Sequence, residues 1–181
     1  MKKINKLFVA ASFFIIVFTF NSCNPFDDVY LSLAMDVKFS TIGIGTDIFL
    51  TETMCLSDFE DYDDNRDNLE EIKYISSAYL TLNATQGLQG DNLTLTLYEA
   101  DGTTLLFQKI IPNFVAASYI NSPLEIVLTQ PEINNINAYL INPKEDKCFV
   151  ATLAVSNVQS SSTPYQLTSK LDFLTELKVK P

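Results

Sequence analysis

Residues 31–39 alternate. Leu31, Leu33, Met35, Val37 and Phe39 are apolar, and Ser32, Ala34, Asp36 and Lys38 stand between them. Successive side chains of an extended strand point to opposite faces, so this pattern buries one face and wets the other. A chain that repeats it must find a second apolar sheet face to cover the first, or curl one sheet into a barrel. The pattern does recur. TDIFLTETMCL (46–56) follows a turn at Gly43-Ile44-Gly45, and KYISSAYLTLNAT (73–85) reads as a third strand. In NLTLTLYEA (92–100), Leu93, Leu95 and Leu97 take one side and threonines the other. Asp101-Gly102 then marks a hairpin, because glycine accepts positive φ without strain, and TTLLFQKII (103–111) is the return strand. PLEIVL (123–128), KCFVATLAVSNV (147–158) and YQLTSKLDFLTELKV (165–179), the last two separated by the QSSSTP loop, bring the number of strands to about eight.

Only TQPEINNINAYLINP (129–143) changes period. Ile133, Ile136 and Leu140 fall on one helical face, Thr129 and Glu132 have capping-box spacing, Pro131 suits a first turn, and Asn142-Pro143 stops the helix. The fold class expected is therefore all-β: an antiparallel β-sandwich, immunoglobulin-like or jelly-roll-like, with two short helical connections. A closed barrel is the alternative, since strands with a single apolar face suit both. A membrane-spanning barrel would need many more hairpins of about ten residues per strand.

The second helical connection is assigned to the acidic stretch SDFEDYDDNRDNLEEI (57–72). Asp61, Asp63, Asn65 and Asp67 at alternate positions resemble the start of a calcium loop. The match then fails, because Arg66 stands where the loop turn needs glycine and Ile72 where the bidentate glutamate belongs. A solvated helix fits better, with Ser57–Glu60 and Asp67–Glu70 as capping pairs and Leu69 and Ile72 as a small apolar face.

Residue types limit the chemistry. The 181 residues include no histidine, which excludes histidine-dependent triads and the usual zinc ligand. Five glycines assemble no phosphate-binding or dinucleotide fingerprint. Paired carboxylates could still cleave glycosides, yet no acid stands alone in an apolar context that would make it a proton donor. No catalytic, cofactor-binding or metal-ligating residues are assigned, and no cofactor is expected. There is no tryptophan to stack on a sugar; Tyr74, Tyr79, Tyr98, Tyr119 and Tyr139 are weaker candidates, and aromatics in β-proteins are more often core. The Asn-x-Thr triplets at Asn83 and Asn92 lie inside predicted strands and read as coincidence.

The N-terminus carries the other signal. Lys2, Lys3 and Lys6 precede an apolar run from Leu7 to Phe20, too short for a stable transmembrane helix and followed by Asn21-Ser22-Cys23. This segment resembles the signal peptide and lipobox of bacterial lipoproteins. Ser22 fits that pattern well; Phe20 and Asn21 fit it loosely. The resemblance implies diacylglyceryl transfer to the Cys23 thiol, cleavage before it, and a lipid anchor in the cell envelope. Asn24, where an aspartate would favour inner-membrane retention, implies the outer membrane, on its periplasmic or surface face. The remainder, DNLEEIKYISSAYLTL above all, is loosely similar to small sandwich lipoproteins of unknown function in Gram-negative bacteria. The domain division is then 1–22 leader, 23–28 lipidated cysteine and tether, and 29–181 one sandwich domain.

Removal of the leader takes three lysines and no acids, so nine basic residues face 22 acidic ones. Such a surface repels nucleic acid and leaves the membrane (through Cys23), an envelope protein or a glycan as partners. Cys55 and Cys148 remain; in an oxidising compartment they either pair or persist as two buried thiols. The function expected is a non-catalytic binding or scaffolding domain at the envelope. A glycan-binding module of an outer-membrane uptake system comes second, and a carboxylate-dependent hydrolase third.

Overall fold

A computed structural model describes residues 28–180. Eight strands form two four-stranded sheets. In chain order they are β1 (Val29–Gly43), β2 (Ile48–Cys55), β3 (Leu69–Ala84), β4 (Gln89–Glu99), β5 (Leu105–Val115), β6 (Leu124–Glu125), β7 (Cys148–Ser156) and β8 (Tyr165–Val179). One sheet has the order β1-β8-β3-β6 and the other β2-β7-β4-β5, and every pairing is antiparallel. All connections cross between the sheets except the β4–β5 hairpin. That order is a jelly roll, which decides between the two sandwich topologies and against the barrel.

The alternation seen in the sequence is the burial pattern. Along β8, Tyr165, Leu167, Ser169, Leu171, Phe173, Thr175, Leu177 and Val179 all face inward. They meet Leu33, Met35, Val37 and Phe39 of β1 within one core that β4 (Leu93, Leu95, Leu97) and β7 (Phe149, Ala151, Leu153, Val155) complete from the opposite sheet. Each Leu or Phe side chain so buried contributes about 1.5–3 kcal/mol relative to exposure. β1 and β8 keep register through fifteen residue pairs, from Val29↔Val179 to Gly43↔Tyr165.

Two elements differ from expectation. PLEIVL contributes only a two-residue strand, Leu124–Glu125, beside Ala78 and Tyr79. The acidic stretch is helical only to Asn68: a 3-10 turn (Leu56–Asp58), helix α1 (Glu60–Asn65) and a second 3-10 turn (Arg66–Asn68) lead straight into β3. Leu69 and Ile72 are buried as strand residues, not as a helical face. Bulges between Leu69 and Glu71 and between Tyr74 and Ser76 shift the phase of β3, so its inward residues are 69, 72, 74, 77, 79 and 81. The expected capping pairs also give way to others. Asp58 accepts from the Cys55 amide, Ser57 bonds Asp146, and Glu70 pairs with lysines.

Helix α2 (Gln130–Tyr139) forms as its sequence indicates, with the Thr129–Glu132 capping box closed and Pro131 in the first turn. It covers the free side of β3, where Asn137 Oδ1 accepts the Tyr74 amide at 2.9 Å. Lys109 of β5 reaches Glu132 at 2.6 Å. Among the described residues no helix is long and apolar enough to cross a membrane.

Candidate functional site

The outer faces of the two sheets carry opposite chemistry. On the β1-β8-β3-β6 sheet, Asp36 lies opposite Asp172, and Lys38 opposite Lys170. Two like pairs side by side would repel; each acid is instead neutralised along its own strand, Lys170 Nζ lying 2.7 Å from Asp172 and Lys38 Nζ 3.8 Å from Asp36. Asp172 Oδ1 is buried and makes no hydrogen bond of regular geometry, so the lysine contact is what meets its charge. Small residues Ala34, Ser76 and Ala78 leave a depression of about 210 Å³ around this block. It is the arrangement nearest to a carboxylate pair, but neither acid is isolated from a base.

Three adjacent outward rows of the β2-β7-β4-β5 sheet are fixed by the strand registers. Phe49, Ala154, Thr94 and Ile110 form the first, Thr51, Thr152, Thr96 and Gln108 the second, and Thr53, Val150, Tyr98 and Leu105 the third. None of the twelve is charged. The small side chains of the middle strands, β7 and β4, leave a depression of about 370 Å³. Phe49, 72% exposed on the edge strand, and Tyr98 rise at diagonal corners of it. Gln108 Nε2 donates to Thr96 Oγ1 at 3.3 Å, which ties the edge strand's amide to the floor. Gly102 of the β4–β5 turn borders the same depression. That turn is tightly held: Gly102 has φ +67°, and Asp101 accepts the Thr103 and Thr104 amides at 2.8 Å each and the Thr104 hydroxyl at 2.6 Å. Those donors, the Thr104 hydroxyl foremost, hold the Asp101 carboxyl far below its usual range.

Of the five tyrosines considered for sugar stacking, only Tyr98 lies on an open face. Tyr79 is fully buried against Phe114 and Tyr119, Tyr74 bonds Ser77 in the core, and Tyr139 donates to the Cys148 carbonyl while packing on Phe149. Phe49 and the threonine row were not singled out from the sequence. The threonine side of β4 is visible there; its alignment with Thr51 and Thr152 needs two long-range registers.

In the acidic connection, Asp61, Asp63 and Asn65 lie on a helix and Asp67 on the 3-10 turn after it, rather than in an extended coordinating loop. Asn65 bonds back to the Asp61 carbonyl, the Arg66 guanidinium donates to the Lys144 carbonyl, and Tyr62 is buried beneath the helix. Among the described residues, the one cluster of three metal-ligating types is Cys55, Asp146 and Cys148. The two cysteines face each other in the β2–β7 register and are joined as a disulfide, and Asp146 is occupied by Ser57.

The acidic connection, the loop after α2, and residues 28 and 179 share one end of the sandwich. There Lys178 bridges Asp28 and Glu70 at 2.9 Å each, and Lys180 reaches Glu70 at 2.6 Å. Lys180 and Lys178 together bring the Glu70 carboxyl down to about 2, and the two acids hold the Lys178 ammonium well above its usual value. Cys23, the leader and the rest of the proposed tether lie outside the described residues.

No protein-family model matches the chain, and no curated protein matches it. Solved structures similar in fold include tobacco necrosis virus, with 10% identity and a TM-score of 0.43 over 86% of this chain and 97% of that one. A 60-mer BFDV capsid protein has 11% identity and a TM-score of 0.41 over 87% and 96%. The infectious bursal disease virus Gx strain has 14% identity and a TM-score of 0.34 over 85% of this chain, which spans only 32% of the viral one. The jelly-roll assignment rests on the strand order itself.

Proposed function

We propose that the protein is a lipid-anchored, non-catalytic binding domain of the bacterial cell envelope, at the outer membrane, held through diacylated Cys23. The observation that carries this reading is the basic, short apolar leader ending in Ser22-Cys23, six residues ahead of the first strand at Val29. Acyl chains bury methylenes worth about 0.8 kcal/mol each, and two or more chains make attachment durable. Five tether residues reach at most roughly 18 Å when fully extended. The end of the sandwich nearest the lipid would then be the acidic one. Like charge keeps that end from lying flat on anionic headgroups once it is within a Debye length, about 8–10 Å. The body therefore stands off the bilayer with both sheet faces accessible, and confinement to a surface raises its effective concentration toward membrane partners.

Binding is favoured over catalysis by the missing histidine and by the pairing of Asp36 and Asp172 with lysines, which leaves neither acid in the apolar setting that makes a proton donor. In cells, Cys23→Ser should leave an unprocessed precursor or a soluble domain without labelled fatty acid. A processed, membrane-bound and equally labelled Cys23→Ser protein would refute the anchor.

A further inference from the structure

We propose that the outer face of the β2-β7-β4-β5 sheet is a platform for an uncharged polysaccharide. The proposal deepens the binding role given above and rests on it. Charge selects the ligand first. The chain has 22 acidic and 12 basic residues, yet none occupies these twelve central outward positions, whereas the opposite sheet carries Asp36, Lys38, Lys170 and Asp172. An anionic ligand would be repelled by the surrounding molecule, and a cationic one would be drawn to the acidic end. A neutral ligand loses nothing here.

Size disfavours a protein seated on the uncharged rows alone. Three interstrand spacings of about 4.8 Å by four residues of about 3.4 Å, with side-chain margins, give roughly 300 Å². A stable protein interface needs about 800 Å² per partner, so a second copy of this chain seated on the face falls well short. A linear sugar chain is narrower and fits.

Chemistry supplies the match. Pyranose rings offer C–H faces and hydroxyl edges. The middle row offers hydroxyls at Thr51 and Thr152 and the Gln108 amide, and Phe49 and Tyr98 offer ring faces on either side of it. Aromatic rings cover C–H surface at low conformational cost, and hydroxyl and amide groups both donate and accept. The Cα positions of Phe49 and Tyr98 lie two strands and four residues apart, roughly 16 Å, which suits several consecutive sugar units rather than one. The floor belongs to β7 and β4, each paired on both sides, so little ordering is required when a ligand binds.

The test uses the full chain in detergent micelles, applied to immobilised neutral glycans of gluco, manno, xylo and galacto configuration and to anionic glycans. Calorimetry with the matching soluble oligosaccharide follows. Retention of at least one neutral class is expected, with affinity reduced about tenfold or more by Phe49→Ala and by Thr152→Glu and unchanged by Ser32→Glu on the opposite sheet. Phe49 is exposed on an edge strand, so its variant reports binding rather than folding; Thr152→Glu is checked by circular dichroism. Retention of no neutral glycan, retention of anionic ones alone, or a hit whose affinity survives both substitutions overturns the proposal. So does a concentration-dependent dimer abolished by Thr152→Glu. Mass spectrometry of Cys23 on the same preparations separates the two readings: an acylated chain that ignores glycans refutes the platform alone, and a glycan-binding chain without acyl groups refutes the anchor alone.

Discussion

Tyr62 shows how one side chain organises a polar loop. It lies in the most acidic stretch of the chain, where the sequence suggests a solvated helix, yet its ring is fully buried. Its hydroxyl lies 3.0 Å from both the Pro143 and the Glu145 carbonyl oxygens, so the loop after α2 is pinned to α1 through one phenol. Burial, then the surrounding acids, raise its pKa against the opposing pull of Arg66, which keeps the hydroxyl a donor at all ordinary pH. Tyr62→Phe preserves the packing and removes the donor, so a loss of about 1–2 kcal/mol is expected in urea unfolding. Glu70 gives a pH-dependent counterpart. Its folded pKa of about 2 lies below the ordinary 4.5 of a glutamate, so its contribution is present above pH 4.5 and fades as pH falls toward 2. Urea midpoints of the native chain and Glu70→Gln should differ at pH 7 and draw together as pH falls from 4.5 to about 2; a gap that widens in acid would contradict the assignment. Neither role is legible in the sequence, because both depend on partners from distant segments: 143–145 for Tyr62, and 178–180 for Glu70.

Elements were legible wherever local chemistry fixes them. Helix α2 announces itself through Thr129, Pro131 and Glu132, all within one turn. The cap is also what docks it: burial raises the Glu132 carboxyl, but Lys109 and the Thr129 amide and hydroxyl outweigh that and leave it lowered. The β4–β5 hairpin follows from Asp101-Gly102. β3 was harder, since its bulges turn a period of two into a spacing of three, which in DNLEEI imitates a helical face. β6 ends at Glu125 although the Ile126 amide still donates to the Ser77 carbonyl in the same register; the next residue, Val127, swings outward, 73% exposed. Between β2 and β7, the Cys55–Cys148 bridge joins residues 93 apart in sequence. Closing so long a loop restricts the unfolded chain, so replacing both cysteines by serine should cost about 2–4 kcal/mol. Alkylation should reach Cys55 and Cys148 only after reductant and denaturant. Modification of the native, unreduced protein at either position would rule the bridge out.

For the whole molecule, the sandwich class was readable and the strand order was not. Alternation tells each strand which side is apolar. It does not tell β1 to pair with β8 or β7 to lie between β2 and β4. Only the β4–β5 ladder joins consecutive strands, and every other neighbour is chosen by long-range closure. The candidate site suffers most from this, because its threonine row exists only once the β2–β7 and β7–β4 registers are set. The longest ladder has a further consequence. Val29 and Val179 face each other across β1 and β8, so the strand that opens the jelly roll and the strand that closes it finish side by side. A short glycine-rich linker could join them, and the chain could be cut instead at the exposed Asp101-Gly102 turn. Such a circular permutant should keep the native circular dichroism spectrum and a cooperative melt. The same adjacency means that, with Cys23 acylated as proposed, whatever is fused behind residue 180 would be delivered close to the bilayer, making the carboxyl end a place to mount a short-range proximity-labelling enzyme.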